Sequence, residues 1–505
     1  MIFMELLTTR YASEIEGTLS CYDRIVITGT LPVLSNARDL TAYFYQKGLR
    51  IFDYATFAEP FREQLKANAE ALAKSSGIEI EFIRKSGVRK EAIIEKKIKQ
   101  RGNHPGIVHI ISVMESCNTY KPWHDKATHK TFLKYDQSKC LTYYFYFIDE
   151  LLGLCYVRVP TWLPFKLQIY CNGHSWLSNE LTNQHIGYTT IDNAFVQIDD
   201  WQKAQQISDG LKMERLHKRL DEFAGRFCPV HKDFNQVYHW SIMQCEYATD
   251  IVFKKQEYLK PIYEELIACA IHTVKPENIV TFLGKKLHGN YAGEIGNNYH
   301  VRIEGSRIKH TMGKTSIKMY DKFGQILRIE TTTNDVSFFK HYREVRHDDG
   351  TSSQEEAYMK KNIYSLKPLR EILVSANQRY LEFLSAIDDH SIGHKKLEKA
   401  TEPKTVEKRK YKGINFFCKT DKKLMLTLAR GEFNIYGFRK KDIEQYIDFT
   451  KSQLSRTFKR LRVLGIIKKV GKSYKYYLTR FGKEITNCSQ KVIEMVMVPQ
   501  LAIAA

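Results

Sequence analysis

The sequence predicts a multidomain α/β protein, and three observations lead there. At 505 residues the chain is too long for one hydrophobic core and fits about three domains. Its first 135 residues alternate short apolar strands with amphipathic helices. Its positive charge gathers near one end: residues 404–484 hold 23 Lys and Arg against 7 Asp and Glu, in a chain whose net charge is +21. The expected order is an N-terminal parallel α/β domain (1–135), a central mixed α+β region (136–392), a basic polar linker (393–413), a C-terminal basic helical module (414–484) and a tail (485–505).

In the first domain, residues 24–28 form a strand ended by Gly29, followed by helices at 36–47 and 56–74. A second strand (78–83), a helix (90–100) and a fully apolar strand (106–114) complete it. Strands separated by helices imply a largely parallel sheet. No glycine-rich loop follows any of them, so the sequence does not support nucleotide binding here.

The pattern changes at Thr142. Three closely spaced strands (143–148, 154–159, 165–170) precede a helix (175–184) and two more strands (188–191, 194–198). Residues 201–225 read as a charged helical insertion. Residues 240–253 mix polar groups into an apolar pattern. Helices at 257–271 and 276–283, β-segments at 299–302, 307–311, 316–320 and 325–331, and a helix at 367–386 follow.

A hydrophobic fraction of 43% and an aromatic fraction of 12% suit packed domains rather than disorder. No apolar run approaches bilayer length, and the N-terminus carries no basic segment with a cleavage site. The expectation is a cytoplasmic, nucleoid-associated protein without membrane contact. The ten cysteines are scattered without CxxC spacing, as in a reducing compartment. Cys228, His231, His239 and Cys245 have zinc-ligand chemistry, but their spacing matches no standard site, so they read as bystanders.

The module at 414–484 carries the strongest signal. A helix over 422–429 ends near Gly431, and a second covers 439–446. Thr450-Lys451-Ser452-Gln453 fits a capping box opening a third helix. Leu454, Phe458 and Leu461 recur at helical spacing and face inward. Lys451, Ser452, Ser455, Arg456, Lys459 and Arg460 occupy the opposite face. A basic hairpin turning at Gly471-Lys472-Ser473 follows. This order resembles the MarR-like winged helix-turn-helix family. The resemblance implies that the third helix enters the DNA major groove, with Lys472 and Lys475 of the wing on phosphates.

Three strands, a helix and a strand over 142–192 resemble the opening of an RNase H-like fold, with a core at 142–250. That resemblance implies carboxylates around two metal ions, which here means Mg²⁺. Asp149 ends the first of these strands and Asp192 follows the fourth. Glu246 and Asp250, four apart, share a face if the segment is helical. The expected metal ligands are Asp149 and Asp250, about 4–6 Å apart, with Glu246 in reserve.

Lys318-Met319-Tyr320-Asp321-Lys322 and Leu327-Arg328-Ile329-Glu330 are similar to a segment of rolling-circle replication initiators. Those enzymes pair a tyrosine nucleophile with a His-hydrophobic-His metal site. No such histidine pair occurs here, and His109 stands alone. Glu330 enters as a candidate from this segment. The whole chain resembles a family of large bacterial proteins often labelled transposase-like, through residues 22–31, 144–149, Asn172-Gly173-His174 and 318–322. That resemblance implies a mobile-element role and adds Asp23 to the candidate acids.

The leading expectation is a mobile-element DNA recombinase or nuclease acting through Mg²⁺. Two alternatives stand beside it. One is a non-catalytic DNA-binding regulator whose N-terminal part senses a ligand or builds a homo-oligomer. The other is a ribonucleoprotein component whose basic hairpins, such as 302–314 and Lys318, grip structured RNA by shape.

Overall fold

The computed structural model describes residues 6–502, apart from 86, 287–290, 292, 303–304, 389, 472, 492–496 and 499–501. The chain forms two compact units, Met1–Asp388 and Asp389–Ala505. Among the described residues no helix is long and apolar enough to cross a membrane.

Unit 1 is organised by one sheet. Its strands are β1 (Ile15–Thr30), β2 (Ile80–Ile83), β3 (Gly106–Asp125), β4 (Lys130–Asp149), β5 (Gly153–Pro160) and β6 (Leu167–Asn172). After a separate ribbon, β7 (Tyr188–Ile191) and β8 (Ala194–Ile198), come β9 (His239–Phe253), β10 (Ile295–Arg302), β11 (Gly305–Met312), β12 (Thr315–Lys322) and β13 (Ile326–Thr333). The eleven-stranded sheet has the order β10-β11-β12-β13-β9-β1-β6-β5-β4-β3-β2.

This corrects three expectations. The sheet is antiparallel except for β2 on β3, so residues 1–135 are not a parallel α/β domain. Their helices form as expected, Ala37–Gln46, Tyr54–Ser75 and Lys90–Arg101, but only Lys90–Arg101 crosses between parallel neighbours, β2 and β3. Second, β1 pairs with β6 on one side and β9 on the other, joining residues 1–135 to the central region in one core. Third, the 142–250 segment lacks the RNase H-like pairing. Its fourth strand, β7, pairs only with β8, and its mostly exposed side chains give it no apolar face with which to join the main sheet.

One face of the sheet carries most of the packing. The helices Tyr54–Ser75, Gly173–Asn183 and Met213–Phe227 bury Leu65, Leu177 and Phe223 with Ile27, Phe145 and Val157 of the strands. Toward β11–β13, the helices Gln256–Thr273 and Leu366–Asp388 bury Leu266 and Leu384 with Ile317, Leu327 and Ile329. Because strand side chains alternate, Lys318, Tyr320, Arg328 and Glu330 stand on the opposite face.

In unit 2, helices Lys419–Leu428, Gly431–Tyr436, Lys440–Glu444 and Lys451–Val463 precede the hairpin Ile467–Lys469/Tyr476–Leu478 and the helix Arg480–Lys491. The expected linker is ordered: a helix, His390–Thr401, leads into a ribbon, Lys404–Val406 with Arg409–Tyr411. Glu407 and Lys408 turn that ribbon with φ of 50° and 62°, the backbone of a tight hairpin loop.

Candidate metal centre on the polar sheet face

The site begins with a bulge. Tyr22 pairs with Tyr247 and Arg24 with the adjacent Glu246, so Asp23 is an extra residue without a ladder partner. Such a bulge bends its strand and re-aims a side chain. The Asp23 carboxylate turns to accept hydrogen bonds from Asn172 Nδ2 at 3.1 Å and Asn193 Nδ2 at 3.0 Å.

Asn172, Gly173 and His174 fold for a local reason. Asn172 Oδ1 caps the helix Gly173–Asn183 by accepting from Ser175 N. A Cβ on Gly173 would meet the Tyr22 carbonyl oxygen at 2.0 Å, so only glycine allows this approach. The turn then directs the buried His174 ring between Asp23, 3.3 Å from Nδ1, and Asp250, 3.8 Å from Nε2.

Glu246 and Asp250 lie on strand β9, not on a helix. A spacing of four keeps residues on one face of either element, and the cross-strand partners decide which element forms. Asp250 faces Arg328 and Glu246 faces Thr332 across the β9–β13 pair. Arg328 is fully buried and donates from Nε and Nη2 to both Asp250 oxygens, 2.6 Å each, and from Nη1 to Asp23 at 3.4 Å.

Glu330 is 2% exposed. It accepts from Tyr320 Oη at 2.6 Å, from Thr332 Oγ1 at 3.2 Å and from Lys318 Nζ, which also lies 3.8 Å from Glu246. Carboxylate oxygens of Asp23, Glu246 and Glu330 all fall within 4.8 Å of one another, and no other metal-ligand group of three or more forms among the described residues. Three hard oxygen donors suit Mg²⁺ or Mn²⁺ rather than zinc.

The electrostatics divide these acids. Burial opposes charge on Asp23, but His174, Arg328 and Lys322 outweigh it and hold the carboxyl well below its usual range. Asp250 is depressed in the same way, burial being overcome by Arg328 and His174. Glu246 moves upward, through burial and then the adjacent Glu330 charge. A cation beside it would favour its charged form. Burial and Glu330 also push the Tyr320 phenol well up, keeping it a hydrogen-bond donor.

The other expected acids lie elsewhere. Asp149 sits on β4, four strand steps from β9 and therefore about 19 Å away at the usual spacing. It does not meet Asp250. Its Oδ1 accepts from the amides of Leu151 and Leu152, and its Oδ2 from Arg219, so it braces the β4–β5 turn. Asp192 is exposed in the β7–β8 turn, with φ 51°. Cys228 shares a hydrogen bond with the Tyr238 hydroxyl.

Sequence reasoning reached Asp23, Glu246 and Glu330, but it read Lys318 as an RNA contact, Tyr320 as part of a tyrosine-nuclease segment and Arg328 as a strand-face pair, and it gave His174 no role at the carboxylates. One signal was available. In β12 and β13, Lys318, Tyr320, Arg328 and Glu330 alternate with Ile317, Met319, Leu327 and Ile329, the pattern of strands with one polar face.

In unit 2, the Thr450 hydroxyl accepts from Gln453 N and the Gln453 side chain accepts from Thr450 N. Leu454, Phe458 and Leu461 are buried, while Lys451, Ser452, Ser455, Arg456 and Lys459 are exposed. Arg460 differs from the expectation. It donates to both Asp421 oxygens at 2.9 and 2.7 Å and to the Lys412 and Gly413 carbonyls, so it holds the module together. Lys475 is half-buried, and Lys472 lies outside the described residues. No protein-family model matches the chain, and no curated protein matches it.

Proposed function

We propose that this protein is a mobile-element DNA recombinase or nuclease, with metal-dependent phosphodiester chemistry at Asp23, Glu246 and Glu330. The observation that carries this reading is the convergence of those three carboxylates within 4.8 Å, beside Lys318 and Arg24 on the polar sheet face. A divalent cation there supplies Lewis-acid stabilisation of a phosphoryl oxygen and lowers the pKa of a bound water. Mg²⁺ is the expected ion. Lys318 bonds Glu330 and lies 3.8 Å from Glu246, so its charge would also face a phosphate bound beside the cation. Arg24, exposed and drawn to Glu246, binds a second phosphate oxygen. Arg328, His174, Asn172 and Asn193 hold the acids in place.

Residues 414–484 bring the substrate as a winged helix-turn-helix. This is supported by the order of helices and hairpin, the capped helix Lys451–Val463 and its exposed Lys451, Arg456 and Lys459. The experiment uses the full chain with labelled single-stranded and duplex DNA in Mg²⁺ or Mn²⁺. Strand cleavage or joining that needs the metal and disappears in Glu330→Gln supports the reading. Absence of any such reaction, or its persistence in Glu330→Gln, overturns it.

A further inference from the structure

A cleft of about 670 Å³ opens beside the carboxylates. Asn172, Asn193 and His174 line it and also surround Asp23. The cleft and the metal-ligand group therefore share a wall. Three tyrosines from neighbouring strands form much of its floor. Tyr156 and Tyr170 lie 5.3 Å apart with ring planes 6° from parallel, and Tyr146 packs 5.3 Å beyond Tyr156. The Arg24 guanidinium extends the tier, 5.5 Å over Tyr170. Tyr170 carries Tyr156 on one face and Arg24 on the other, so this row offers the cleft its ring edges and hydroxyls, which the polar edge of a planar base can meet.

The charges specify which part of a nucleotide enters. Among the described residues lining the cleft, Arg24 is the only Lys or Arg, and it stands at the end facing Glu246. Glu91, Glu95, Glu150 and Asp192 line the cleft and are exposed. These carboxylates repel a phosphate but accept hydrogen bonds from amino groups. Adenine, cytosine and guanine carry an exocyclic amine, whereas thymine and uracil would turn carbonyls toward the carboxylates. The Tyr170 phenol, pushed up to about 12 mainly by burial, remains a donor for a ring nitrogen.

We infer that this cleft seats one unpaired nucleobase bearing an exocyclic amino group, with its phosphate on Arg24 at the carboxylate centre. The inference rests on the nucleic-acid reading above and names the substrate feature that this site selects. Seating a base in the cleft requires that it leave a duplex or come from a single strand.

The test measures fluorescence anisotropy of the full chain with labelled homopolymers of about eight nucleotides, in EDTA to prevent turnover. Cytosine, adenine and thymine deoxy-oligomers are compared, then the ribo-oligomers with uracil replacing thymine. Contacts through the basic module are indifferent to the base, so the preference is the readout. Cytosine and adenine oligomers should bind about tenfold tighter than thymine or uracil, and the series that shows this identifies the strand. Tyr156→Ala with Tyr170→Ala should erase the preference. Glu95→Gln with Asp192→Asn, both at exposed positions, should reduce it without touching the core. Equal affinities for all bases, or a preference that survives in both double variants, overturns the base site. If metal-dependent cleavage persists in that case, only this inference falls. If no cleavage occurs in the wild-type chain either, the functional reading falls with it.

Discussion

Arg328 and Asp250 form a two-pronged ion pair across β13 and β9, with Nε and Nη2 each 2.6 Å from a carboxylate oxygen and both side chains almost sealed from solvent. Such a pair adds little net stability over an apolar replacement, but breaking it strands a buried charge. Arg328→Met alone, or Asp250→Leu alone, should lower the stability of unit 1 by about 3–5 kcal/mol. The double variant should be less destabilised than the sum of the two. Urea unfolding of the four chains closes the cycle, and additive losses would show that the pair is not coupled. Because Asp250 is depressed in the fold, its contribution is present above the ordinary carboxylate pKa, near 4, and fades as pH falls below it.

The proposed metal site at Asp23, Glu246 and Glu330 predicts a thermal shift. A ligand that binds the folded chain alone raises its melting temperature by mass action. Millimolar Mn²⁺ or Mg²⁺ should therefore raise the Tm of the wild-type protein. Asp23→Asn, Glu246→Gln and Glu330→Gln should each abolish the shift. Asp149→Asn should start from a lower Tm, having lost its bond to Arg219, yet keep the shift. A shift that depends on Asp149 and ignores Glu330 would move the metal to the other end of the sheet.

What the residues revealed depended on the range of the interaction. Helices such as Tyr54–Ser75 and Gln256–Thr273, and the capping box at Thr450, follow from local periodicity and local hydrogen bonds. Strand existence was equally local, so β9 to β13 were legible except that the polar groups of 240–253 also fit a helix. Pairing was not legible. Nothing near residue 23 announces that β1 lies between β6 and β9, and the bulge that aims Asp23 exists only as a mismatch with Tyr247 and Glu246. Asp149 and Asp250 therefore stood as the expected ligand pair, and Asp23 entered only through a resemblance. Three intervening strands separate Asp149 from Asp250, whereas Asp23 lies on the strand next to that of Asp250.

His310 predicts an acid sensitivity separate from the carboxylates. It is fully buried, with Nδ1 2.7 Å from Asn297 Oδ1 and Nε2 2.7 Å from the Tyr380 hydroxyl. Burial pushes its pKa down to about 4. In the unfolded chain the value returns to about 6.5, so between these values the unfolded state takes up the proton first. Through this histidine unit 1 should lose about 3 kcal/mol as pH falls from 6.5 to 4, and nothing above 6.5. His310→Gln retains a donor and an acceptor but does not titrate, so its stability should be flatter across that window. Parallel pH profiles for variant and wild type would assign the sensitivity to another group.

Arg456 and Arg460 lie four residues apart on the helix Lys451–Val463, yet they should fail in different ways. Arg456 is exposed, and its guanidinium contacts are with Ser452. Arg460 reaches Asp421 at the start of the helix Lys419–Leu428 and two carbonyls before it. Arg456→Ala with Lys459→Ala should leave the melting of unit 2 unchanged and weaken duplex DNA binding. Each lost contact should cost roughly 1–3 kcal/mol and reduce the dependence on salt. Arg460→Ala should instead destabilise unit 2 by about 1–3 kcal/mol, because the buried Asp421 loses its charged partner. Asp421→Asn should reproduce that loss while leaving the exposed Lys451, Arg456 and Lys459 in place. Salt-dependent anisotropy and thermal melting of the three variants separate the roles. Equal DNA affinity for the Arg456–Lys459 variant and the wild type, at matched melting, would remove this helix face from the interface.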